Sequence, residues 1–529
     1  MIPPMAEHQW TSTSAETVAI VILLREDGAS LLQLRDDKPG LSHAGKWGWP
    51  GGHCGPGESL EKSARRELEE ETGYVCQDLQ LMGLIEDRQL CETNLAIFWT
   101  RYDGRQAVEC REGQALRFIS RAGAETYSMP RFLFPVWDRA IAALQAANGN
   151  RTTMTPPPWT VPYTAFGRHA GEIKRELIAA FETVLDRGHY VLGPEVTAFE
   201  QEFSSYCQSA FAVGVGSGTS ALSLVLRWLG IGPGDEVITA PNSFVASPAS
   251  IAMTGARPVF VDIGADLNID PDRVASAVTP RTKAIMPVHL TGRPVRLPAI
   301  LEIAKRHGLF VLEDAAQAVG ASLDGHRVGG WGDAGCFSLH PLKNLRALGD
   351  GGVVTTNNPS LRDWLLKARN HGLRTRDDCE FWSVNSRLDE VQAALLRVHL
   401  RHLARWTEER RRLAFRYHER LRPYVEVPEE GPGEYCVYQT YMVQADHRDA
   451  LVQWLRDRGV EAMVHYPTPL PLQPAARALG YSAQDFPIAM RAAGRIITLP
   501  LYPGLTAAQQ DHVVEGIAAF SRQHPRESA

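Results

Sequence analysis

Three consecutive prolines in the segment Asn148-Gly-Asn-Arg-Thr-Thr-Met-Thr-Pro-Pro-Pro-Trp159 do most to limit how this chain can fold. Proline offers no amide hydrogen and clashes with a preceding helical turn, and the small polar residues before it bury little surface. No regular element is expected to run through such a stretch, so the residues on either side must build separate cores. The length of 529 residues agrees, because single cores stop growing at about 250–300 residues.

Upstream, the apolar runs Thr17–Leu24 and Ser30–Leu34 flank Asp27-Gly28, a pair that tolerates the positive φ of a tight turn, and predict a β-hairpin. It opens a compact α/β unit that closes with a helix over residues 135–147. Downstream, from about 165 to 520, short apolar runs alternate with helical periodicity. Residues 212–215, 236–239, 258–262, 284–288 and 309–312 are expected as strands, which predicts a mostly parallel sheet with helices on both faces. A long amphipathic helix over 388–421 follows. The last part, with a strand over 435–443, a helix over 449–458 and the His465-Tyr-Pro467 segment, reads as a smaller α+β unit. The expected organisation is a first unit over 1–147, a linker over 148–164, a large domain over 165–400 and a small domain over 401–529.

A formal net charge of -6 lacks the basic excess of a nucleic-acid binder, so anionic ligands must be held by local sites. The eight cysteines are scattered without a Cys-x-x-Cys pair, which suits reduced thiols in a cytoplasm. No basic-then-apolar leader opens the sequence and no run approaches the roughly 18 apolar residues of a membrane span. The expectation is a cytoplasmic protein with no membrane and no nucleic-acid partner.

Two segments carry chemistry. In the first, Gly52, Glu58, Arg66, Glu67, Glu70, Glu71 and Gly73 occur in order. On a helix Glu67, Glu70 and Glu71 stand at i, i+3 and i+4, so three carboxylates share one face. Such a face is either a solvated acidic surface or, because hard divalent ions take oxygen ligands, a cation site. Arg66 and Glu58 are spaced to pair and brace the helix against its preceding loop. The segment resembles the Nudix box, with Lys46-Trp-Gly-Trp-Pro-Gly-Gly-His53 and Glu112-Gly-Gln-Ala-Leu-Arg-Phe-Ile-Ser120 as fitting neighbours. Tyr74 stands where an aliphatic residue is commoner. The resemblance covers residues 15–147 and implies an α/β/α sandwich that hydrolyses a nucleoside diphosphate-linked compound. It implies Mg²⁺ or Mn²⁺ on Glu67, Glu70, Glu71 and the Gly52 carbonyl, with a carboxylate such as Glu70 taking a proton from the attacking water. Glu112 is implied as an extra ligand or base, with a plain surface carboxylate as the equal alternative.

The second is assembled from three places. Gly214-Val-Gly-Ser-Gly-Thr219 leads from a strand into a helix N-terminus, where free amides suit a phosphate. The strand at 309–312 ends in Glu313-Asp314-Ala-Ala-Gln317, and ligands of such sheets bind beyond the carboxyl ends of strands. Lys343 follows 29 residues after Asp314 in an apolar, glycine-flanked loop, where burial would lower its pKa. Together with Gly193-Pro-Glu-Val196, Pro287-Val-His-Leu-Thr-Gly292 and Asn385-Ser-Arg-Leu-Asp-Glu-Val-Gln-Ala393, these resemble the DegT/DnrJ/StrS sugar aminotransferases over residues 165–522. The resemblance implies the fold-type-I architecture of enzymes that use pyridoxal 5'-phosphate (PLP), a large α/β domain with a small α+β domain. Lys343 is implied as the Schiff-base lysine and Asp314 as partner of the ring nitrogen. Gln317 is implied on the ring hydroxyl, Phe244 on the ring face, and Gly218, Thr219 and Ser338 on the phosphate. Asn385 is implied to reach the phosphate of a second subunit, hence a homodimer with shared sites.

The reading is therefore a bifunctional enzyme that moves an amino group from glutamate or glutamine to a keto-sugar, nucleotide-linked, and hydrolyses a nucleoside diphosphate-linked compound. Lys343 favours transamination over the dehydratases of the family that carry histidine there. Gln439 and Pro471 fall where family members often carry histidines, which leaves the identity and orientation of the substrate open, and a keto-cyclitol stays an alternative acceptor because the resemblance covers enzymes of both classes. A nucleotide-binding regulatory module without turnover stays open for the first unit, and a cofactor-bound sensor for the second.

Overall fold

The structure is a computed structural model that describes residues 17–38, 44–85, 94–104, 106–121, 123–148 and 159–524. Residues 1–16 and the 149–158 part of the expected linker lie outside the described residues. The chain divides into two compact units, Met1–Pro156 and Pro157–Ala529.

The first unit contains β1 (Thr17–Leu24), β2 (Ser30–Leu34), β3 (Trp47–Gly48), β4 (Gly51–His53), α1 (Leu60–Thr72), β5 (Gln80–Ile85), β6 (Asn94–Arg101), β7 (Ala115–Ile119) and α2 (Leu133–Asn148). The strands form one sheet in the order β3-β2-β1-β6-β5, with β4 also on β1 and β7 on β2. The central strand shows why helices cover both faces. Successive side chains of a strand point to opposite sides. Ala19, Val21 and Leu23 of β1 pack with Ala64 and Leu68 of α1, while Ile20, Ile22 and Leu24 pack with Val136, Trp137 and Ala140 of α2. An unbroken apolar strand thus fills two cores, the α/β/α sandwich expected. Gly28 takes φ 80° in the predicted turn.

In the second unit, α3 (Phe166–Arg187) and α4 (Pro194–Tyr206) precede an alternating series. It comprises β8 (Phe211–Val215), α5 (Gly218–Trp228), β9 (Glu236–Thr239), α6 (Ala246–Ala252), β10 (Arg257–Phe260), α7 (Pro271–Ala277), β11 (Thr282–Met286), α8 (Leu297–His307) and β12 (Phe310–Asp314). Then come β13 (Ser322–Leu323), β14 (His326–Arg327), β15 (Ala334–Ser338), β16 (Gly352–Thr356), α9 (Pro359–Ala368), β17 (Leu373–Thr375), β18 (Asp378–Cys379) and α10 (Glu390–Leu421). The main sheet has the order β10-β9-β11-β12-β15-β16-β8. Only β16 runs against the rest. Val196, Phe199, Ile300 and Leu396 cover one face with their helices, and Leu222, Val225, Leu361 and Leu365 cover the other. This is the mixed α/β, fold-type-I arrangement.

The C-terminal part contains β19 (Glu434–Tyr435), β20 (Tyr441–Gln444), α11 (Arg448–Arg456), α12 (Pro487–Ala493), β21 (Ile496–Leu499) and α13 (Ala507–Gln523). The single strand expected over 435–443 is two pieces in different sheets, because Tyr438 takes a left-handed φ of 44° and breaks the run. The expected linker also ends sooner than 164. Val161 is fully buried and bridges Val460, and the Tyr163 amide donates to Glu461 Oε2 at 2.7 Å. The stretch from 159 is part of the second unit's core. Strands β15 and β16, absent from the expected set, flank the Lys343 loop.

Candidate active sites

In the first unit the acidic face is built by α1 and the turn before it. Ser59 caps the helix by accepting from the Lys62 amide, and Gly73 ends it in the left-handed region at φ 71°. The Gly51 amide donates to Glu71 Oε2 at 2.8 Å. A Cβ on Gly52 would lie 2.3 Å from Glu67 Oε2, so a side chain there would push the carboxylate from its place beside the strand. The loop bearing Glu112 is tied to the last turn of α1: the Arg111 amide donates to Glu71 O at 3.0 Å and the Glu109 amide to Thr72 O at 2.9 Å. Burial, with the charges of Glu112 and Glu67 adding to it, pushes the Glu71 carboxyl up to about 7, against the Gly51 hydrogen bond. Gly52, Glu67, Glu71 and Glu112 are thus brought together.

Glu70 is placed differently. Arg66 donates from Nη1 to Glu67 Oε1 at 2.7 Å and to Glu70 Oε2 at 2.9 Å, and from Nη2 to Glu58 Oε2 at 3.0 Å. The expected Glu58–Arg66 brace is present, and it holds Glu58 down to about 2. The same guanidinium also spans two of the expected ligands. Among the described residues no three Asp, Glu, His or Cys side chains close into a ready metal cage.

In the second unit the sheet sets β12 beside β15 and, across β16, the parallel strand β8, and the carboxyl ends of these three strands supply the site. Asp314 ends β12 and is buried. Its Oδ2 accepts from Ser247 Oγ at 2.7 Å and its Oδ1 from the Ala316 amide at 3.2 Å. Burial pushes its pKa up, opposed by those two donors and by Lys343 and His289. Burial lowers the Lys343 pKa, and Asp314 opposes the shift. The pair separated in sequence is therefore within electrostatic reach in space.

The α5 N-terminus is a close-packed cradle. Ser217 Oγ accepts from the Ser220 amide at 3.1 Å, capping the helix. A Cβ on Gly218 would meet Ser338 Cβ at 2.8 Å, and one on Gly352 would fall 2.3 Å from the Ser217 carbonyl. Thr219 follows in the first turn of α5. Gln317 Oε1 accepts from the Thr291 amide at 2.6 Å. Phe244 is 54% exposed and faces Tyr466 with ring centroids 6.1 Å apart, so its ring is free to cover a planar ligand. Asn385 is exposed, and its neighbour Ser386 accepts the Gly216 amide at 3.0 Å, which ties that segment to the glycine loop.

Four residues in this neighbourhood had no role in the sequence reading. Ser247 lies within the quoted Asn242–Ser247 stretch, yet only the fold reveals its bond to Asp314. His465 lies near Lys343: burial, then the lysine charge, lower its pKa. Tyr163 stacks on His465 at 5.7 Å. Tyr466 is pushed up to about 12 by burial, with the Asp314 charge contributing and Gln317 opposing. The His465-Tyr-Pro467 segment was visible as a motif, but nothing in its spacing gives its distance to Lys343.

No helix among the described residues is long and apolar enough to cross a membrane. A DegT/DnrJ/EryC1/StrS aminotransferase family model matches residues 171–518, and a NUDIX domain model matches residues 14–125. A "pleiotropic regulatory protein" of Geobacillus stearothermophilus is 43% identical over 367 residues, covering 68% of this chain and 99% of its own length. The dTDP-3-amino-3,4,6-trideoxy-alpha-D-glucose transaminase of Streptomyces venezuelae is 41% identical over 366 residues, covering 69% of this chain and 97% of its own. The crystal structure of S. venezuelae DesV in complex with a ketimine intermediate superposes with a TM-score of 0.67 at 41% identity, over 70% of this chain and 99% of that one. The chain belongs to the DegT/DnrJ/EryC1/StrS aminotransferase family, and carries a NUDIX domain ahead of it.

Proposed function

We propose that the second unit transfers the amino group of glutamate or glutamine to a nucleotide-linked keto-sugar, and that the first unit hydrolyses a nucleoside diphosphate-linked compound with a divalent cation. The approach of Lys343 to Asp314 beside the Ser217–Ser338–Gly352 cradle carries the first part. These residues fit PLP: a cradle too tight for side chains at Gly218 and Gly352, a buried carboxylate at a strand end, and an amine of lowered pKa. Bound PLP would act as an electron sink for the substrate's amine carbon. Asp314, held by Ser247 and the Ala316 amide, would keep the ring nitrogen protonated. Gly218, Thr219 and Ser338 would hold the phosphate, Gln317 the ring hydroxyl and Phe244 the ring face. Lys343, with its pKa lowered by burial, is suited to carry a proton to and from the substrate carbon. Asn385, exposed on a segment tied to the glycine loop, suits a contribution to a second subunit's site in a homodimer.

The absorbance spectrum of the purified protein tests this. Added glutamate or glutamine should convert the lysine-bound cofactor band to that of the amine form. A spectrum indifferent to every amino acid would leave the transaminase reading without support.

For the first unit, Glu67, Glu71 and Glu112 with the Gly52 carbonyl offer oxygen donors of the kind a hard cation takes, and the cation itself would have to draw them into a cage. Glu70 would join it only by exchanging its Arg66 contact, which leaves it placed to accept a proton from water. Incubating the aminated nucleotide-sugar with the protein and Mg²⁺ should release nucleoside monophosphate, and Glu67→Gln should abolish the release. Nucleotide binding with no release in the unsubstituted protein would assign the unit a regulatory role instead.

A further inference from the structure

A partly open cavity of about 20 Å³ adjoins the Lys343 loop, with Tyr163, Leu342, Arg346, Arg410, Gln439 and Tyr502 among its walls. Two walls connect it to the reaction centre. Tyr163 stacks on His465, and Gln439 donates from Nε2 to the carbonyl of Leu342, the residue before Lys343, at 3.1 Å.

The charges here are unusual. Arg410, from the middle of α10, is 8% exposed, and its Nη1 donates to two backbone carbonyls, Leu501 O at 2.8 Å and Tyr438 O at 3.2 Å. Among the described residues no carboxylate hydrogen-bonds to it or to Arg346, and the carboxylate that influences it, Glu409, accepts the Gly504 amide at 2.7 Å. Arg346 is half-buried, its guanidinium 5.3 Å from the Phe166 ring centroid. Burial and the neighbouring Arg346 push Arg410 down to about 10, and burial lowers Arg346 as well. A buried guanidinium beside a half-buried one, with no carboxylate bonded to either, is costly, since buried charge is ordinarily paired. The missing partner is an anion. Its size follows from the cavity: at roughly 10–15 Å³ per water-sized position there is room for one or two atoms, which matches the oxygens of a carboxylate and excludes a diphosphate.

We propose that this cavity is the distal-carboxylate subsite for the amino donor. Arg346 and Arg410 receive the side-chain carboxylate of a dicarboxylic amino acid, while its amino group stays on the Lys343 side of Tyr163 and Gln439. The inference rests on the transaminase reading and sharpens it, because the neutral amide of glutamine would leave both guanidinium charges unbalanced. Glutamate, with 2-oxoglutarate as its product, becomes the preferred donor.

The test uses the full-length holoenzyme with two probes. L-Glutamate is titrated against the cofactor absorbance, and glutarate, which has both carboxylates and no amine, is titrated by calorimetry. Arg346→Met should weaken both by tenfold or more with the keto-sugar KM unchanged, and Arg346→Lys should recover part of the loss. Glutamate should half-saturate at lower concentration than glutamine in the unsubstituted enzyme only. The proposal is overturned if Arg346→Met leaves both probes within twofold, or if the keto-sugar KM rises as far as that for glutamate. Chloride or acetate binding as tightly as glutarate, through Arg346, would also overturn it by reducing the cavity to a small-anion site. The two readings fail separately. Glutarate binding through Arg346 without any spectral response to glutamate would sink the transaminase reading alone, whereas equal conversion by Arg346→Met and the parent would sink the subsite alone.

Discussion

Glu390 acts as a remote helix cap whose removal should be felt throughout the second unit. Helix α4 starts at Pro194 without a side-chain cap of its own. Its free amides are met instead by the first residue of α10: Gly193 N donates to Glu390 Oε2 at 2.9 Å, Glu195 N to Oε1 at 2.6 Å and Val196 N to Oε2 at 3.2 Å. Glu390 is 1% exposed, so little water stands ready to replace it. Charge-assisted hydrogen bonds contribute about 1.5–3 kcal/mol each, but removing the carboxylate also recovers its desolvation cost and admits some water. Losing one member of a buried charged set usually costs about 3–5 kcal/mol, and Glu390→Ala is expected to cost about 4 kcal/mol on that basis. Glu390→Gln should cost roughly half as much, since one amide oxygen can accept two of the three donors. Urea unfolding of the full chain, followed through the transition of the second unit, gives the free energies. Hydrogen exchange at residues 193–196 locates the change. A loss below about 1 kcal/mol for the alanine variant, or exchange at 193–196 no faster than its general rise in the β12 amides, would refute the capping argument.

Lys343→Ala should abolish transamination and the absorbance of the lysine-bound cofactor while leaving the unfolding transition intact, read by spectroscopy and calorimetry; retained amino transfer would dismiss Lys343. Arg66→Ala frees Glu58, Glu67 and Glu70 at once. It should cut diphosphate hydrolysis by roughly 10–100-fold, the usual scale for a ligand-orienting partner, yet lower stability by less than about 1 kcal/mol because the arginine is part-exposed; unchanged hydrolysis would contradict its orienting role. His418 is buried with its pKa pushed down to about 4, chiefly by burial. Its folded pKa lies below the ordinary value of 6.5, so the stability it supports is whole above pH ~6.5 and is lost toward pH ~4, with a slope of up to about 1.4 kcal/mol per pH unit. His418→Phe should flatten that acid limb in melting curves, and identical slopes would exclude the histidine as its source.

Much of this architecture is legible in the sequence wherever one local pattern decides the outcome. The apolar run of β1 needs no tertiary information, since a strand buried on both faces has no polar alternation to hide. The helix bearing Glu67, Glu70 and Glu71 is equally local, and so is its pairing of Glu58 with Arg66. What local pattern does not carry is which of several partners a side chain takes. Arg66 was expected on Glu58 and also holds Glu67 and Glu70, because three acceptors lie within its reach once the helix forms. Strand β15, Ala-Gly-Cys-Phe-Ser, escapes notice because it is short and mostly small residues, whereas the β-branched Val353–Thr356 run of β16 is a strand signal left out of the expected set. Residues 159–164 follow prolines and look like tether, yet Val161 is buried by partners almost three hundred positions away. The Lys343 motif could be read, whereas its neighbours Tyr163, His465 and Arg410 come from three distant segments that only folding unites.

Helix α10 has a mechanical consequence. Its 32 residues span about 48 Å at 1.5 Å per residue, with Leu396 and Leu403 in the core of the main sheet and Leu413, Tyr417 and Leu421 in the core of the C-terminal part. It is a beam clamped at both ends. The angle between the two halves is thus held by one hydrogen-bonded rod together with the core contacts of Val437, Met442 and Phe486 on the main-sheet side. A graft that swaps the C-terminal part between relatives would keep the two halves aligned only if its seam lies outside this helix, since a cut near residue 400 would sever the beam between its clamps.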